Sequence, residues 1–401
     1  MIGVKVDIKA YHKKGNLKKK KGFSEEEILL THYDTLSKKA KKIAGDYFKE
    51  NVNELNGFRG MLFEEAIQEY LFEIKASVPF SGPNWGEEKF TFIDLFAGIG
   101  GFRLALQSLK GKCIFSSEWD EAARETYRQN YGEIPYGDIT KASVKANIPK
   151  EFDVLCGGFP CQPFSKAGVS ARNFLGLEHG FDHPTQGNLF FEIIEIVKKH
   201  KPKVLFLENV KNLRSHDGGN TFNTIEKMIM ELGYSFSYKI INAQTEIPQR
   251  RERTYMVCFK NSKIKFEFPE FKGEPKQLGS ILESKVSEKY TISDNLWVGH
   301  QKRSKRNKER GTGFTTKVAD LTKPSNTIVA RYYKDGKECL IPQSNNNPRM
   351  LTEGECVKLF GFPDDFLFHK SRNSAYKQFG NSVAVPVIKK IAIEIIKHLN
   401  K

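Results

Sequence analysis

The stretch Phe90-Thr91-Phe92-Ile93-Asp94-Leu95-Phe96-Ala97-Gly98-Ile99-Gly100-Gly101 decides how this chain is read. Its first seven residues are dominated by aromatic and aliphatic side chains and read as a buried strand. Residues 97–101 form a tight turn, and residues 102–109 start a helix. Glycines at a strand-to-helix junction let a ligand approach the backbone, and the helix N-terminus adds N–H donors and a positive dipole. A glycine turn alone is not specific for a nucleotide. Downstream, residues 113–117 read as a second strand ending in Glu118-Trp119-Asp120. A carboxylate at a second strand tip, about 20 residues after the glycines, suits both hydroxyls of a ribose. Trp119 can stack on an adenine, and Asp138 in Tyr136-Gly137-Asp138-Ile139 suits the amino group of that base. Each residue also has an ordinary reading: a helix cap for Glu118 or Asp138, core packing for Trp119. Taken singly, both readings stay open.

The same alternation of strand and helix continues, which points to an α/β sheet. Residues 152–156 read as the fourth strand of the series and run into Gly157-Gly158-Phe159-Pro160-Cys161-Gln162-Pro163-Phe164-Ser165. Prolines on either side of a thiol stiffen the backbone that carries it. Such placement suits a nucleophile when the thiol is accessible and its pKa lowered, although a lone Cys is most often a small buried hydrophobe. Gly187-Asn188 opens an apolar helix, and residues 204–210 form the next strand, with Glu208 at its carboxyl end. Ligands of open α/β sheets gather at those ends, so Gly98, Glu118, Cys161 and Glu208 should face one crevice. Gln249, Arg251 and Arg253 alternate ahead of an apolar run and should project together; the other reading is a solvated charge run.

At 401 residues the chain is long enough for two or three domains. Apolar residues make up 39%, which excludes a disordered chain. Lys plus Arg number 64 against 48 Asp plus Glu, a formal +16 that points to a polyanion such as nucleic acid. The six cysteines have neither disulfide nor zinc spacing, which predicts a reduced, cytoplasmic setting. No signal peptide or long apolar run argues for a membrane. Residues 1–22 carry eight lysines and one acid and read as a solvated tail. Residues 24–76 read as helices: Ser24 and Glu27 have capping-box spacing. Phe58, Leu62, Phe63, Ala66, Ile67, Tyr70, Leu71 and Ile74 make an apolar stripe. Residues 81–84 read as a linker. Residues 262–345 hold short polar segments, with six bases in 301–310 and hydroxyls and aromatics in 325–333. That mixture fits phosphate contact with base reading; an exposed helix is the alternative. Val387, Ile388, Ile391 and Ile395 predict a last helix that returns to the sheet, capped by residues 380–383.

Together these blocks resemble the bacterial DNA (cytosine-5)-methyltransferases of restriction–modification systems, over residues 90–401. Residues 94–101 are similar to the family's S-adenosylmethionine turn, Pro160-Cys161-Gln162 to its nucleophile motif, and Glu208-Asn209-Val210 to its glutamate motif. Gln249-x-Arg251-x-Arg253 is similar to the signature that follows. Residues 349–352, 361–363 and 380–383 resemble the last two blocks. The resemblance implies a Rossmann-like class I methyltransferase sheet with a smaller target-recognition domain and an N-terminal helical extension. Residues 1–89 would be the extension, 90–261 the catalytic domain completed by 380–401, and 262–379 the recognition domain.

The resemblance also implies roles. Cys161 would attack the cytosine ring, protonated Glu208 would hold ring N3, and Arg253 would hold O2 with Arg251 in support. Asp94, Phe96, Gly98, Gly100, Glu118, Trp119, Asp138, Ile139, Asn188, Asn381 and Ser382 would bind S-adenosylmethionine. Gln162, Ser165, Gln249, Lys302, Arg303, Arg306, Arg331 and Tyr332 would contact double-stranded DNA. No metal is implied; a monomer is expected, functionally paired with a cognate restriction endonuclease. Residues 330–336 resemble those of enzymes reading C/G-rich palindromes. Two other functions fit the same blocks. Loss of Cys161 or Glu208 would favour an inert DNA-binding regulator, but both are present; the long basic 262–345 insert argues against an RNA (transfer RNA) cytosine methyltransferase.

Overall fold

The structure is a computed structural model that describes residues 22–53, 62–160, 189–311, 316 and 318–399. Cys161, Gln162, Ser165, Asn188, most of the basic tail and the expected helical stripe position Phe58 lie outside them.

Three helices come first: α1 (Glu25–Thr31), α2 (Lys38–Phe48) and α3 (Phe63–Ser77). Ser24 caps α1 by accepting the Glu27 N–H, which is one half of the expected capping box. The sheet strands and helices then alternate as β1 (Phe90–Leu95), α4 (Gly101–Gln107), β2 (Gly111–Ser117), α5 (Glu121–Tyr131), β3 (Val154–Gly158), α6 (Leu189–His200), β4 (Val204–Val210), α7 (Asn220–Glu231), β5 (Ser237–Asn242) and β6 (Glu252–Phe259). The strand order is β2-β1-β3-β4-β6-β5, with β6 antiparallel to both of its neighbours and the other pairings parallel. The strand leading to Cys161 is therefore third in the chain, not fourth. Tyr136 makes only an isolated parallel bridge to Ser117, too short to count as a strand.

Side-chain alternation along each strand divides the interior into two cores. One face carries Phe92, Val154, Cys156, Phe206, Tyr255 and Val257. It packs against α4, residues of the 262–379 region and α11 (Val385–Leu399), reached through α8 (Asp294–Glu309), α9 (Glu353–Leu359) and α10 (Arg372–Asn381). The last helix thus returns to the first sheet, where its stripe of Val387, Ile388, Ile391 and Ile395 is buried. Gly380 and Asn381 end α10 rather than cap α11, and a non-helical Ser382 separates the two helices. The other face carries Ile93, Leu95, Phe115, Leu205, Leu207 and Met256. It packs against α6, α7 and the N-terminal helices, with Ala66, Ile67 and Leu71 of α3 buried there while Leu62 is exposed. The basic run 301–310 lies on α8 and its C-terminal end. No helix among the described residues is long and apolar enough to cross a membrane.

Helix α9 starts with a full capping box: Thr352 accepts the Glu355 N–H, and the Glu355 carboxylate accepts the Thr352 N–H. The same carboxylate receives both Arg349 amino groups at 2.8 Å and is fully buried. Removing one partner leaves a buried guanidinium uncompensated. Glu355→Ala is therefore expected to lower unfolding free energy by about 3 kcal/mol or more, read from chemical denaturation; a loss within the ordinary range of surface substitutions would show that the pair is dispensable.

Candidate active site

The site is built at the carboxyl ends of β1 to β4. Glu208 and Gly158 are register partners on β4 and β3. A Cβ on Gly158 would lie 3.2 Å from Glu208 Oε2, so the glycine makes room for the carboxyl. Asn209 Nδ2 donates to the Phe159 carbonyl at 2.9 Å, fixing the chain just before Pro160 and Cys161. The glutamate block thus holds the strand end from which the cysteine block continues.

Strand β6 supplies the cation. Arg253 shares a sheet face with Tyr255, and Glu208, opposite Tyr255, lies on that face as well. Arg253 Nε approaches Glu208 Oε1 at 3.1 Å, with both side chains about nine-tenths covered. Burial pushes the Glu208 carboxyl above its usual range, and Arg253 and then Arg251 pull it back only in part. The result is a carboxyl able to hold a proton beside a fixed positive charge.

Gln249 and Arg251 do not project with Arg253 into this site. Gln249 is fully buried, and its Oε1 accepts the Ile328 N–H at 3.1 Å. Arg251 is also buried; it donates to the carbonyls of Ile328 (3.1 Å), Gly380 (3.3 Å) and Ser382 (2.5 Å) and lies over the Phe360 ring. Burial, then the like charge of Arg253, presses its pKa down. These two residues precede β6, where the strand alternation no longer applies. Gln249 is corrected from a DNA contact to an internal tie, and Arg251 supports the site from behind. Tyr332 is corrected likewise: it is fully buried, with its hydroxyl donating to Cys339 O (2.7 Å) and accepting the Leu351 N–H (2.9 Å). Lys302, Arg306 and Arg331 are exposed, whereas Arg303 pairs with Asp335 at 3.2 Å.

The glycine turn forms the second half of the site. Gly98 and Gly100 have φ of 55° and 82°, in the left-handed region that glycine adopts without strain, and Phe96 enters the turn at 57°. Gly98 N–H donates to Glu118 Oε2 and Asp120 N–H to Glu118 Oε1, both at 2.8 Å. Glu118 is buried, which raises its pKa. Trp119 beside it is 81% exposed, which excludes core packing. Asp138 Oδ1 accepts the Thr140 N–H and hydroxyl, while Ile139 is buried. Ser382 is buried and reaches the turn: a Cβ on Gly101 would lie 3.3 Å from its Oγ; Asn381 is exposed. Asp94 lies beneath, its pKa raised by burial to about 8; Oδ1 accepts from the Cys156 thiol, and Oδ2 is buried without a partner among the described residues.

Two contacts at this half carry no sequence signal. Lys377 Nζ pairs with Asp120 Oδ2 at 2.5 Å across 257 positions, and the Tyr131 hydroxyl donates to the Gly100 carbonyl at 2.8 Å. The residues fit S-adenosylmethionine: apart from Gly98 and its two chain neighbours, no described atom lies within 4 Å of where a Cβ would stand on Gly98, a carboxylate closes the turn, and an indole is free to stack.

A family model described as C-5 cytosine-specific DNA methylase matches residues 90–397. The type II methyltransferase M1.ScrFI of Lactococcus lactis subsp. cremoris is 48% identical over 320 residues, covering 78% of this chain and 79% of that protein. M.SsoII of Shigella sonnei is 47% identical, covering 82% and 86%; M.HpaII of Haemophilus parainfluenzae is 43% identical, covering 84% and 96%. Among solved structures, the Entamoeba histolytica methyltransferase EhMeth superposes with a TM-score of 0.59 at 19% identity, covering 78% of this chain and all of that one. Spodoptera frugiperda DNMT2 gives 0.60 at 19%, covering 77% and 99%. The sheet is that of the class I methyltransferases, and the chain belongs to the C-5 cytosine-specific DNA methylase family.

Proposed function

We propose that this enzyme methylates C5 of a cytosine swung out of a specific duplex DNA sequence, using S-adenosylmethionine, and protects that sequence from a cognate restriction endonuclease. The observation carrying this reading is the buried Glu208 carboxyl, raised in pKa, paired with Arg253 and set against the strand that leads into Cys161. Ring C5 is a poor nucleophile. Addition of the Cys161 thiolate to C6 forms an S–C6 bond and moves the C5–C6 electron pair toward C5 and N3. A protonated Glu208 donates to N3, and Arg253 stands where charge develops on O2. Bound S-adenosylmethionine supplies a methyl already activated by a positive sulfur. C5 would bond to that methyl as the methyl–sulfur bond breaks; the C5 proton then leaves to a base, the N3 proton returns to Glu208, the S–C6 bond breaks, and the thiolate is restored.

Glu118 would hold the ribose, with Trp119 and Asp138 at the adenine. Phe96 would pack on the adenosine, with Gly98, Gly100 and Ser382 beside the methionine part. A base within a duplex is out of reach of such a site, so flipping is required. The exposed cations Lys302, Arg306 and Arg331 lie in the 262–379 region, which we assign to DNA recognition.

Tritiated S-adenosylmethionine should label duplex DNA and not transfer RNA, and bisulfite sequencing of an expressing host should reveal one modified motif; label confined to RNA would defeat the proposal. Cys161→Ser should abolish turnover while gel-shift affinity for duplex DNA persists. Glu208→Gln should slow methyl transfer by about 100-fold or more. Because the Glu208 pKa is raised and its protonated form is the active one, kcat should fall as pH rises through that value. An identical alkaline limb in the Gln variant, read from initial rates, would take that proton away from Glu208.

A further inference from the structure

The N-terminal helices lie outside the family match yet grip the cofactor half of the site. Residues 134–138 run beside the end of β2. On that side Tyr136 N–H donates to Ser116 O, Glu118 N–H to Tyr136 O and Ser117 Oγ to Gly137 O, each at 2.8 Å. On the other side the N-terminal unit supplies the partners. Ile134 N–H donates to Thr31 Oγ1 at 3.2 Å, while the Thr31 hydroxyl itself donates to Ile28 O. The Ile134 carbonyl pairs with His32 Nε2 at 2.9 Å. His32 also stacks on Tyr136 (4.6 Å, 23°), whose far face stacks on Phe115 (4.9 Å, 14°). Burial lowers the His32 pKa, so the ring is neutral and the carbonyl selects the tautomer with Nε2 protonated. The same unit holds α5: Phe23 N–H donates to Glu121 Oε1 at 2.9 Å, and Arg124 and Arg128 lie over the Phe23 ring.

We infer that His32, aided by Thr31, is a positioning residue for cofactor binding: the N-terminal unit clamps the Ile134–Tyr136 backbone and so sets Asp138 where the adenine is received. This rests on the reading of Asp138 given above. His32 touches no reacting atom, so its effect should appear in cofactor affinity alone.

His32→Ala in the full-length protein should raise the Kd for S-adenosylmethionine, by calorimetry, and its KM by about three- to tenfold, the range of one hydrogen bond. The KM for DNA and kcat at saturating S-adenosylmethionine should stay unchanged. His32→Gln, which keeps an N–H donor, should recover part of the loss. Thr31→Val removes the other partner with little change of shape; it should weaken cofactor binding in the same direction, and it decides the matter should His32→Ala not fold. Unchanged cofactor affinity in the folded variants, or a KM for DNA rising in step with that for S-adenosylmethionine, overturns the inference. Asp138→Ala separates the claims. If it leaves cofactor affinity intact, the reading of the loop fails and the inference with it. A loss there, with none in the His32 and Thr31 variants, overturns the inference alone.

Discussion

A carboxyl and a guanidinium, taken out of water together at the end of a sheet, govern this molecule. Burial of Glu208 opposes its ionisation, and the two nearby arginines do not fully offset that opposition. The group can therefore keep a proton 3.1 Å from the Arg253 guanidinium. A cytosine under attack at C6 calls for both: a proton for N3 and a cation near O2. The arrangement depends on β6 running antiparallel to β4, because that pairing brings Arg253 to the carboxyl end of β4 opposite Val210. A slip of one residue would send Arg253 to the opposite face.

That strand end is held by a polar joint. Gln249 and Arg251 take the N–H and the carbonyl of the same residue, Ile328, and Arg251 continues to Gly380 and Ser382. One short segment before β6 thus ties together the catalytic sheet, the 262–379 region and the turn into α11. Gln249 Nε2 and Arg251 Nε remain buried without partners among the described residues, so the joint is incompletely satisfied as well as internal. Of three basic and polar positions that look alike in sequence, one pairs with Glu208 and two serve the joint.

That difference marks how far the residues could be read in advance. Five of the six strands were legible because each is a short apolar run followed by a turn; β5, whose Tyr238, Lys239 and Ile240 are exposed, carries no such run and was not read. Trp119 was open in sequence, since an indole beside a strand tip can be core or platform; its exposure removes the core reading. Gln249 and Tyr332 are buried where DNA contacts were expected, because neither alternation, which suggested Gln249, nor a mixture of hydroxyls and aromatics, which suggested Tyr332, says whether other chain covers the side chain. In both cases the cover comes from residues 328–351. Lys377 and His32 were invisible because their partners lie 257 and 102 positions away, and neither residue type nor spacing announces such a meeting.

The two cores give these distant contacts a common logic. The face carrying Phe206 and Tyr255 is covered by the C-terminal half of the chain, and the face carrying Leu95 and Phe115 partly by its N-terminal helices. Each cover sends polar side chains to the rim of the cofactor half, Lys377 to Asp120 from one face and His32 and Thr31 to Ile134 from the other. The end of β2 and the segment after α5 are therefore held from both faces of the sheet. On the C-terminal side the brace is close to rigid, because Gly380 sits so near Val329 and Ala330 that a Cβ would meet their backbone. Backbone against backbone has no rotamer with which to yield. The region bearing the exposed cations is linked to the glycine turn through Ile328, Gly380 and Ser382 and the one arginine that binds all three carbonyls.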